Sequence, residues 1–410
     1  MTLSPGRVRF ALFALALGGF GIGATEFVAM GLLPQIASDL LPRMWETKPD
    51  QALAQTGAMI SAYAAGVVVG APTIAALAAR FQRRRLLLAL AAAFTVGTVA
   101  SALAPSFGLV IAARFVAGLP HGAYFGIAAL VASSLMGPGR RGRGIAFVLS
   151  GLTIASVIGV PLITLLGQSA GWRIAYLVVA AIFAATLVAI WFAVPMQPGD
   201  PAATFRRELR AFRRIRVWFA LLTGAVGFGG FFAVYSYIAP MVTEVARLSS
   251  TTVPLALMTI GIGMTIGNLV GGRLADHGAV RAIFFCFAAF AVALVILALT
   301  VSHPVGLFAG LLLVGGTGSA MSAPIQTRLM DVAGESQTLA AALNHSALNI
   351  GNSLGAFLGG VVIASGYGFV APIWIGVLLC VPGAMFAVGG YLASRNHPHT
   401  ASIRTAPPTG

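Results

Sequence analysis

Four ionisable side chains fall deep inside long apolar stretches of this sequence: Glu26, Arg114, His121 and His345. A charge at the centre of a bilayer costs about 2.5–3.5 kcal/mol on insertion scales, so such residues mark ion or proton pathways. Glu26 is the one carboxylate far from either end of its apolar stretch. If a proton travels on an acid, Glu26 carries it. Burial opposes ionisation of a carboxyl group and a nearby arginine favours it, and proton coupling needs the two in balance. Arg114 lies about seven residues inside its own stretch, and at ~1.5 Å per residue it shares a depth of roughly 10 Å with Glu26. Two readings stay open for this pair: a fixed ion pair locking two helices, or a protonatable, substrate-sensing Glu26 tuned by Arg114. His121, near the middle of its stretch, can relay protons or serve as a hydrogen-bonding residue beside Gly118 and Gly122.

The elements that position these groups are twelve apolar segments: 10–34, 53–78, 86–105, 107–136, 144–168, 172–194, 217–243, 253–275, 282–301, 305–329, 338–363 and 372–392. A helix of about 20 apolar residues crosses a hydrocarbon core of roughly 30 Å. The composition agrees, with 58% hydrophobic and 9% charged residues and a mean hydropathy of +0.93, against about 25% charged for a soluble domain. The chain reads as an all-α integral membrane protein.

A net charge of +15 would suggest nucleic acid in a soluble protein, but position decides otherwise. With the N-terminus cytoplasmic, 20 of the 25 basic residues fall in inner loops and termini, while the outer loops keep Arg43, Lys48, Arg173 and Arg247. That is the positive-inside pattern. It places both termini in the cytoplasm and removes nucleic acid as a partner. Lys48 is the only lysine and has no glycine-rich lead-in, so no phosphate-binding P-loop exists. Cys286 and Cys380 lie in separate segments and imply neither a disulfide nor a metal site. An aspartate pair and an H-E-x-x-H helix are both missing, which excludes the corresponding membrane proteases. The first segment follows Arg7 and Arg9 like a signal peptide, but runs past a cleavable length of 7–15 residues and reads as a retained span. No cofactor is expected.

A basic stretch divides the chain six segments to six. Between Arg206 and Arg216, Phe205, Leu209, Phe212 and Ile215 recur at helical spacing among arginines, as in an amphipathic helix lying on a membrane surface. The expected organisation is a six-helix bundle over 1–198, a cytoplasmic linker over 199–216, a second bundle over 217–394 and a tail over 395–410. The halves repeat internally, as transporter folds do: Gly151, Ala155 and Gly159 in segment 5 match Gly351, Gly355 and Gly359 in segment 11. Such small-xxx-small runs let helix backbones approach closely.

The turns after segments 2 and 8 carry a second repeat. The later one, Gly272-Arg273-Leu274-Ala275-Asp276 leading to Arg281, resembles the G-x-L-A-D-R-x-G-R-R signature of the major facilitator superfamily. The earlier copy keeps Arg80, Arg83 and Arg84 but replaces the glycines and the aspartate with Ala75, Gln82 and Ala79. Gly23-Ala24-Thr25-Glu26-Phe27, Gly171-Trp172-Arg173 and Asn349-Ile350-Gly351-Asn352 are similar to the twelve-span drug:proton antiporters of the arabinose-efflux and chloramphenicol-efflux branch. Gly159-Val160-Pro161 resembles a degenerate antiporter signature, and its proline removes a helix hydrogen bond and can kink segment 5. The resemblance implies two pseudo-symmetric six-helix bundles around a cavity, gating roles for both basic turns, and proton-driven export of a small organic solute by a monomer in lipid. An uncoupled facilitator or an importer is the alternative. Phe231 and Tyr235 would form an apolar cavity wall. Asn268, Gln326, Asn344, His345 and Asn349 are candidate cavity residues whose competing role is hydrogen bonding between helices.

The charge pattern yields a topology test. Single cysteines near Arg210 and Arg404, in a cysteine-free background, should resist a membrane-impermeant thiol reagent in intact cells, while one near Lys48 reacts. Labelling of the Arg210 and Lys48 positions from the same side would overturn the topology.

Overall fold

Twelve helices of the described residues are long and apolar enough to cross a bilayer: α1 Pro5–Gly31, α2 Pro49–Ile74, α3 Arg83–Leu103, α4 Phe107–Met136, α5 Arg143–Ala170, α6 Trp172–Ala193, α7 Ile215–Tyr235, α8 Ser250–Asp276, α9 Ala279–Thr300, α10 Pro304–Ala333, α11 Leu343–Ala364 and α12 Ala371–Ser394. They come from a computed structural model that describes residues 4–78, 81–136, 141–198, 214–333 and 337–395. Arg80, most of the expected linker and nearly all of the tail lie outside the described residues. Of the linker, Ile215 and Arg216 belong to the first turn of α7.

The helices assemble as two six-helix bundles of matching internal order. In each, the first helix packs on the fifth (α1 on α5, α7 on α11) and the second on the fourth (α2 on α4, α8 on α10). Small residues permit these contacts. A Cβ on Gly66 or Gly70 would strike the backbone oxygens of Phe115 or Leu119 in α4, and one on Gly263 or Gly267 would strike those of Leu312 or Gly316 in α10. Gly151 faces the backbone of Ala16, and Gly355 faces that of Gly229. With no hydrophobic drive between helices in lipid, backbone proximity and dispersion supply the association. One hydrophobic cluster draws only on residues between Ala11 and Val194. The largest is built mainly from α7–α12, but it takes in Phe27, Met30, Leu33 and Ile60 from the first half.

Several elements depart from uninterrupted spans. The segment expected over 217–243 is a helix only to Tyr235; Ser236 and Tyr237 turn before a short helix Ile238–Pro240 and a π-helical turn Met241–Val245. The helix α5 winds a π-turn over Ala155–Gly159, directly before Pro161. There Val160 N–H reaches back to the Ala155 oxygen, so the proline is accommodated by locally wider winding, a form common at functional sites. The connection after α1, expected as loop, holds helices Leu33–Leu40 and Pro42–Thr47.

One end of the first bundle is clamped by the Gly171-Trp172-Arg173 turn. Gly171 adopts φ +97°, open to glycine without strain, and so reverses the chain between α5 and α6. Arg173 then donates to the Ala102 and Ala104 oxygens at 2.8 and 2.9 Å and pairs with Asp39 at 3.0 Å. Trp172 Nε1 donates to the same carboxylate at 3.0 Å.

Close approach sets a contrast between two glycines. Gly267→Val must push α8 off the Gly316 backbone and should cost about 1–3 kcal/mol or more. Gly126, with nothing within 4 Å of a built Cβ, should accept alanine with an unchanged thermal midpoint. Scanning fluorimetry of both variants in detergent checks this.

Candidate functional site

Glu26 lies on α1 near its Gly31 end, 5% exposed, and Arg114 on α4 is fully buried. Arg114 meets α1 at the residue before Glu26, but Glu26 and Arg114 form no direct ion pair. Arg114 Nη1 instead donates to the Thr25 hydroxyl at 2.9 Å. The guanidinium lies over the Tyr63 ring, 4.2 Å from its centroid, and 5.5 Å from that of Tyr176. Cation–π contact strengthens when both partners are desolvated, and here it supplements a single hydrogen bond, since Nε and Nη2 have no partner. The Arg114 charge still acts on the Glu26 carboxylate through space.

The Glu26 carboxylate finds its partner in the other bundle. Asn352 on α11 donates Nδ2 to Oε1 at 3.2 Å, between residues 326 apart in sequence. Nearby, Ser61 on α2 donates to the Ser353 oxygen at 3.2 Å, and Phe27 packs on Tyr235 of α7 with centroids 5.1 Å apart. Tyr235 in turn packs on Phe231 at 5.5 Å. Both expected wall residues are buried, and the Tyr235 hydroxyl has no hydrogen-bond partner.

A second crossing lies at the two histidines. His121 Nδ1 and the Tyr63 hydroxyl share a hydrogen bond of 3.1 Å. The His121 ring is 6.0 Å from that of His345 on α11, and His345 stacks on Phe125 at 5.3 Å. Tyr63 therefore joins Arg114 to His121, and the histidines carry the row into the second bundle.

The remaining candidates divide. Asn344 and Asn349 are buried with unpartnered Oδ1 atoms, and Asn349 Nδ2 donates to the His345 oxygen of its own helix at 3.0 Å. Gln326 is half-buried on α10. Asn268 is exposed on α8, so it does not join the buried cluster. In the basic turns, Arg83 and Arg84 fasten α3 to the end of α6: Arg83 N–H donates to the Gln197 oxygen at 3.1 Å, and Arg84 donates to the Trp191 oxygen. Gly272 is half-buried, and Asp276 and Arg281 are exposed.

Sequence does not single out Tyr63 or Tyr176, gives Thr25 only within a motif, and gives Asn352 only within a motif and among the polar residues of segment 11. A signal existed for Asn352: His345, Asn349 and Asn352 recur at i, i+4 and i+7, one face of a helix.

Two pseudo-symmetric six-helix bundles, meeting across a buried polar row, define a polytopic membrane transporter. The chain belongs to the Major Facilitator Superfamily, whose family model matches residues 15–264 and 238–408. It is 34% identical over 400 residues to Inner membrane transport protein YdhP of Escherichia coli (strain K12), covering 97% of this chain and 99% of that protein. It is 32% identical over 380 residues to a chloramphenicol resistance protein of Streptomyces lividans, covering 92% and 95%. Among solved structures, a D-xylose-proton symporter shares the fold with a TM-score of 0.73 at 16% identity, covering 96% and 99%.

Arginine geometry predicts a stability effect. Arg114→Lys keeps the charge but loses the planar contact with Tyr63 and Tyr176, and the two are not interchangeable at a stacked site. Its thermal midpoint should fall by several degrees, and Tyr63→Leu in the Arg114→Lys background should add little further loss.

Proposed function

We propose that this transporter exports a small organic solute from a bacterial cell by alternating access, driven by protons entering in exchange, with both termini cytoplasmic. The observation that supports this reading best is the Glu26–Asn352 hydrogen bond. It puts the deep carboxylate of one bundle against a neutral amide of the other. An ionised carboxylate accepts a charge-assisted bond, stronger than a neutral acid would. Protonating Glu26 therefore weakens a tie between the bundles and lowers the cost of separating them.

In this topology Tyr237 lies at the outer end, where its hydroxyl donates to the Ala356 oxygen at 2.7 Å. There a Cβ on Gly360 of α11 would come within 3.2 Å of the Ala54 oxygen of α2, so the two bundles meet at that end. Protonation of Glu26 from outside favours solute release, and its deprotonation toward the cytoplasm favours reloading. His121, bonded to Tyr63 beneath the Arg114 guanidinium, offers the route between the two. Phe27, Phe231 and Tyr235 pack on one another, and with the unpartnered asparagine oxygens of α11 their chemistry suits a moderately apolar solute with hydrogen-bonding groups once the bundles part. The name of the Streptomyces lividans relative is in keeping with export.

Glu26→Gln should abolish export driven by a pH gradient while solute exchange across the membrane survives. Proteoliposomes with an internal pH dye, screened first against a solute panel in efflux-deficient cells, measure both. Full pH-driven export by Glu26→Gln, or solute flux without proton flux in the parent protein, would overturn the coupling.

A further inference from the structure

We infer that Tyr237 is the residue that fastens the two bundles together at the outer end, its phenol seated in a socket of glycines drawn from both: Gly57 of α2 on one side, Gly359 and Gly360 of α11 on the other. Which end is outer rests on the topology proposed above. Withdrawal of this ring is the step that lets the bundles part there.

The interruption of α7 delivers the ring. The helix stops at Tyr235, and Tyr237 takes φ −118° and ψ 23°, off the helical course. Tyr237 is fully buried, and its hydroxyl donates to the Ala356 oxygen at 2.7 Å. The small residues of α11 receive α7 in turn. Gly355 faces the α7 backbone at Gly229, whereas a Cβ on Gly359 would lie 2.6 Å from the Tyr237 ring.

Gly57 makes this a contact between bundles. A Cβ there would lie 2.5 Å from the Tyr237 hydroxyl oxygen, and one on Gly360 would lie 2.8 Å from the same atom. Gly57 has ordinary helical dihedrals, φ −54° and ψ −22°, so its lack of a side chain answers to space and not to backbone strain. The ring has nowhere to retreat, because Gly359 already lies against its edge and Ala356 holds its hydroxyl. Packing this dense does not absorb a methyl group without a shift. An alanine at position 57 therefore pushes α2 away from the second bundle. One oxygen atom decides the matter: with the hydroxyl gone, the nearest ring atom, Cζ, is 3.4 Å from that Cβ, an ordinary contact.

Ile60, about one turn beyond Gly57 on α2, is 1% exposed in a cluster made mainly of second-bundle residues and supplies the reporter. Ile60→Cys is placed in a Cys286→Ser, Cys380→Ser background, and its reaction with a membrane-impermeant methanethiosulfonate outside intact cells is timed. The labelling rate follows the fraction of molecules open at that end, so Gly57→Ala should raise it about tenfold, and Tyr237→Phe, which loses the bond to Ala356, about threefold. Gly57→Ala combined with Tyr237→Phe should label no faster than Tyr237→Phe alone, since the alanine then fits. Unchanged labelling in Gly57→Ala, or a double variant as fast as the two single effects multiplied, would overturn the socket. If Gly57→Ala yields no folded protein, adding Tyr237→Phe should restore it, and a double variant that also fails to fold overturns the socket too. Acceleration found only with reagent on the cytoplasmic face, in inside-out vesicles, would keep the socket and overturn the topology proposed above.

Discussion

A charge that water cannot reach must be held by its neighbours, and the fully buried Arg114 guanidinium imposes that demand on the first bundle. Arginine keeps its proton under all ordinary conditions, so the structure must accommodate a permanent cation. It does so with Tyr63 beneath, Tyr176 to one side and the Thr25 hydroxyl at Nη1. These contacts draw α1, α2, α4 and α6 to one point. They also place Glu26, the residue after Thr25, close enough to feel the charge without being consumed by it. A direct ion pair would satisfy Arg114 more fully but would leave the carboxylate committed within its own bundle. Through Thr25, the acid stays free to face Asn352.

Much of this was legible in the sequence, and the limits have a common physical origin. Hydropathy fixes which residues cross the membrane because the bilayer demands it of every span, and arginine position follows from the same solvent. Residue counting set Arg114 level with Glu26, and the Arg114–Thr25 hydrogen bond agrees with that level. It could not give azimuth: Thr25 and Glu26 differ by one rise of about 1.5 Å but by about 100° around the helix, and that turn decides which side chain meets the guanidinium. Tyr63 was hidden for another reason, since an aromatic in an apolar segment has the pattern of ordinary core. The π-turn at Ala155–Gly159 depends on how α5 meets Pro161 and on the packing of α1, which no local pattern reports. Asn268 is polar and inside its segment, yet Gly267 before it faces the α10 backbone, so Asn268 is turned about 100° away from that contact and lies exposed.

The two bundles repeat their packing while diverging in their chemistry. Glycine-mediated contacts recur at matching places, since backbone proximity tolerates few alternatives. The ionisable groups do not repeat: the first bundle holds Glu26, Arg114 and His121, and the second answers with asparagines and His345. A charged half facing a neutral, hydrogen-bonding half allows the contact between them to change strength when a single proton moves. Two charged halves would attract or repel too strongly for that.

The contact of Gly261 with α5 has a mechanical meaning. A Cβ at Gly261 would come within 2.5 Å of the Ser156 oxygen, inside the π-turn, so two backbones from opposite bundles nearly touch there. Such a crossing is a fulcrum, because neither helix can slide through the other while both can tilt about the point. From Gly261 the arm of α8 toward Asp276 is about 22 Å long and the arm toward Ser250 about 16 Å. Any rocking about this pivot is geared, and moves the Asp276 end farther than the other for the same angle.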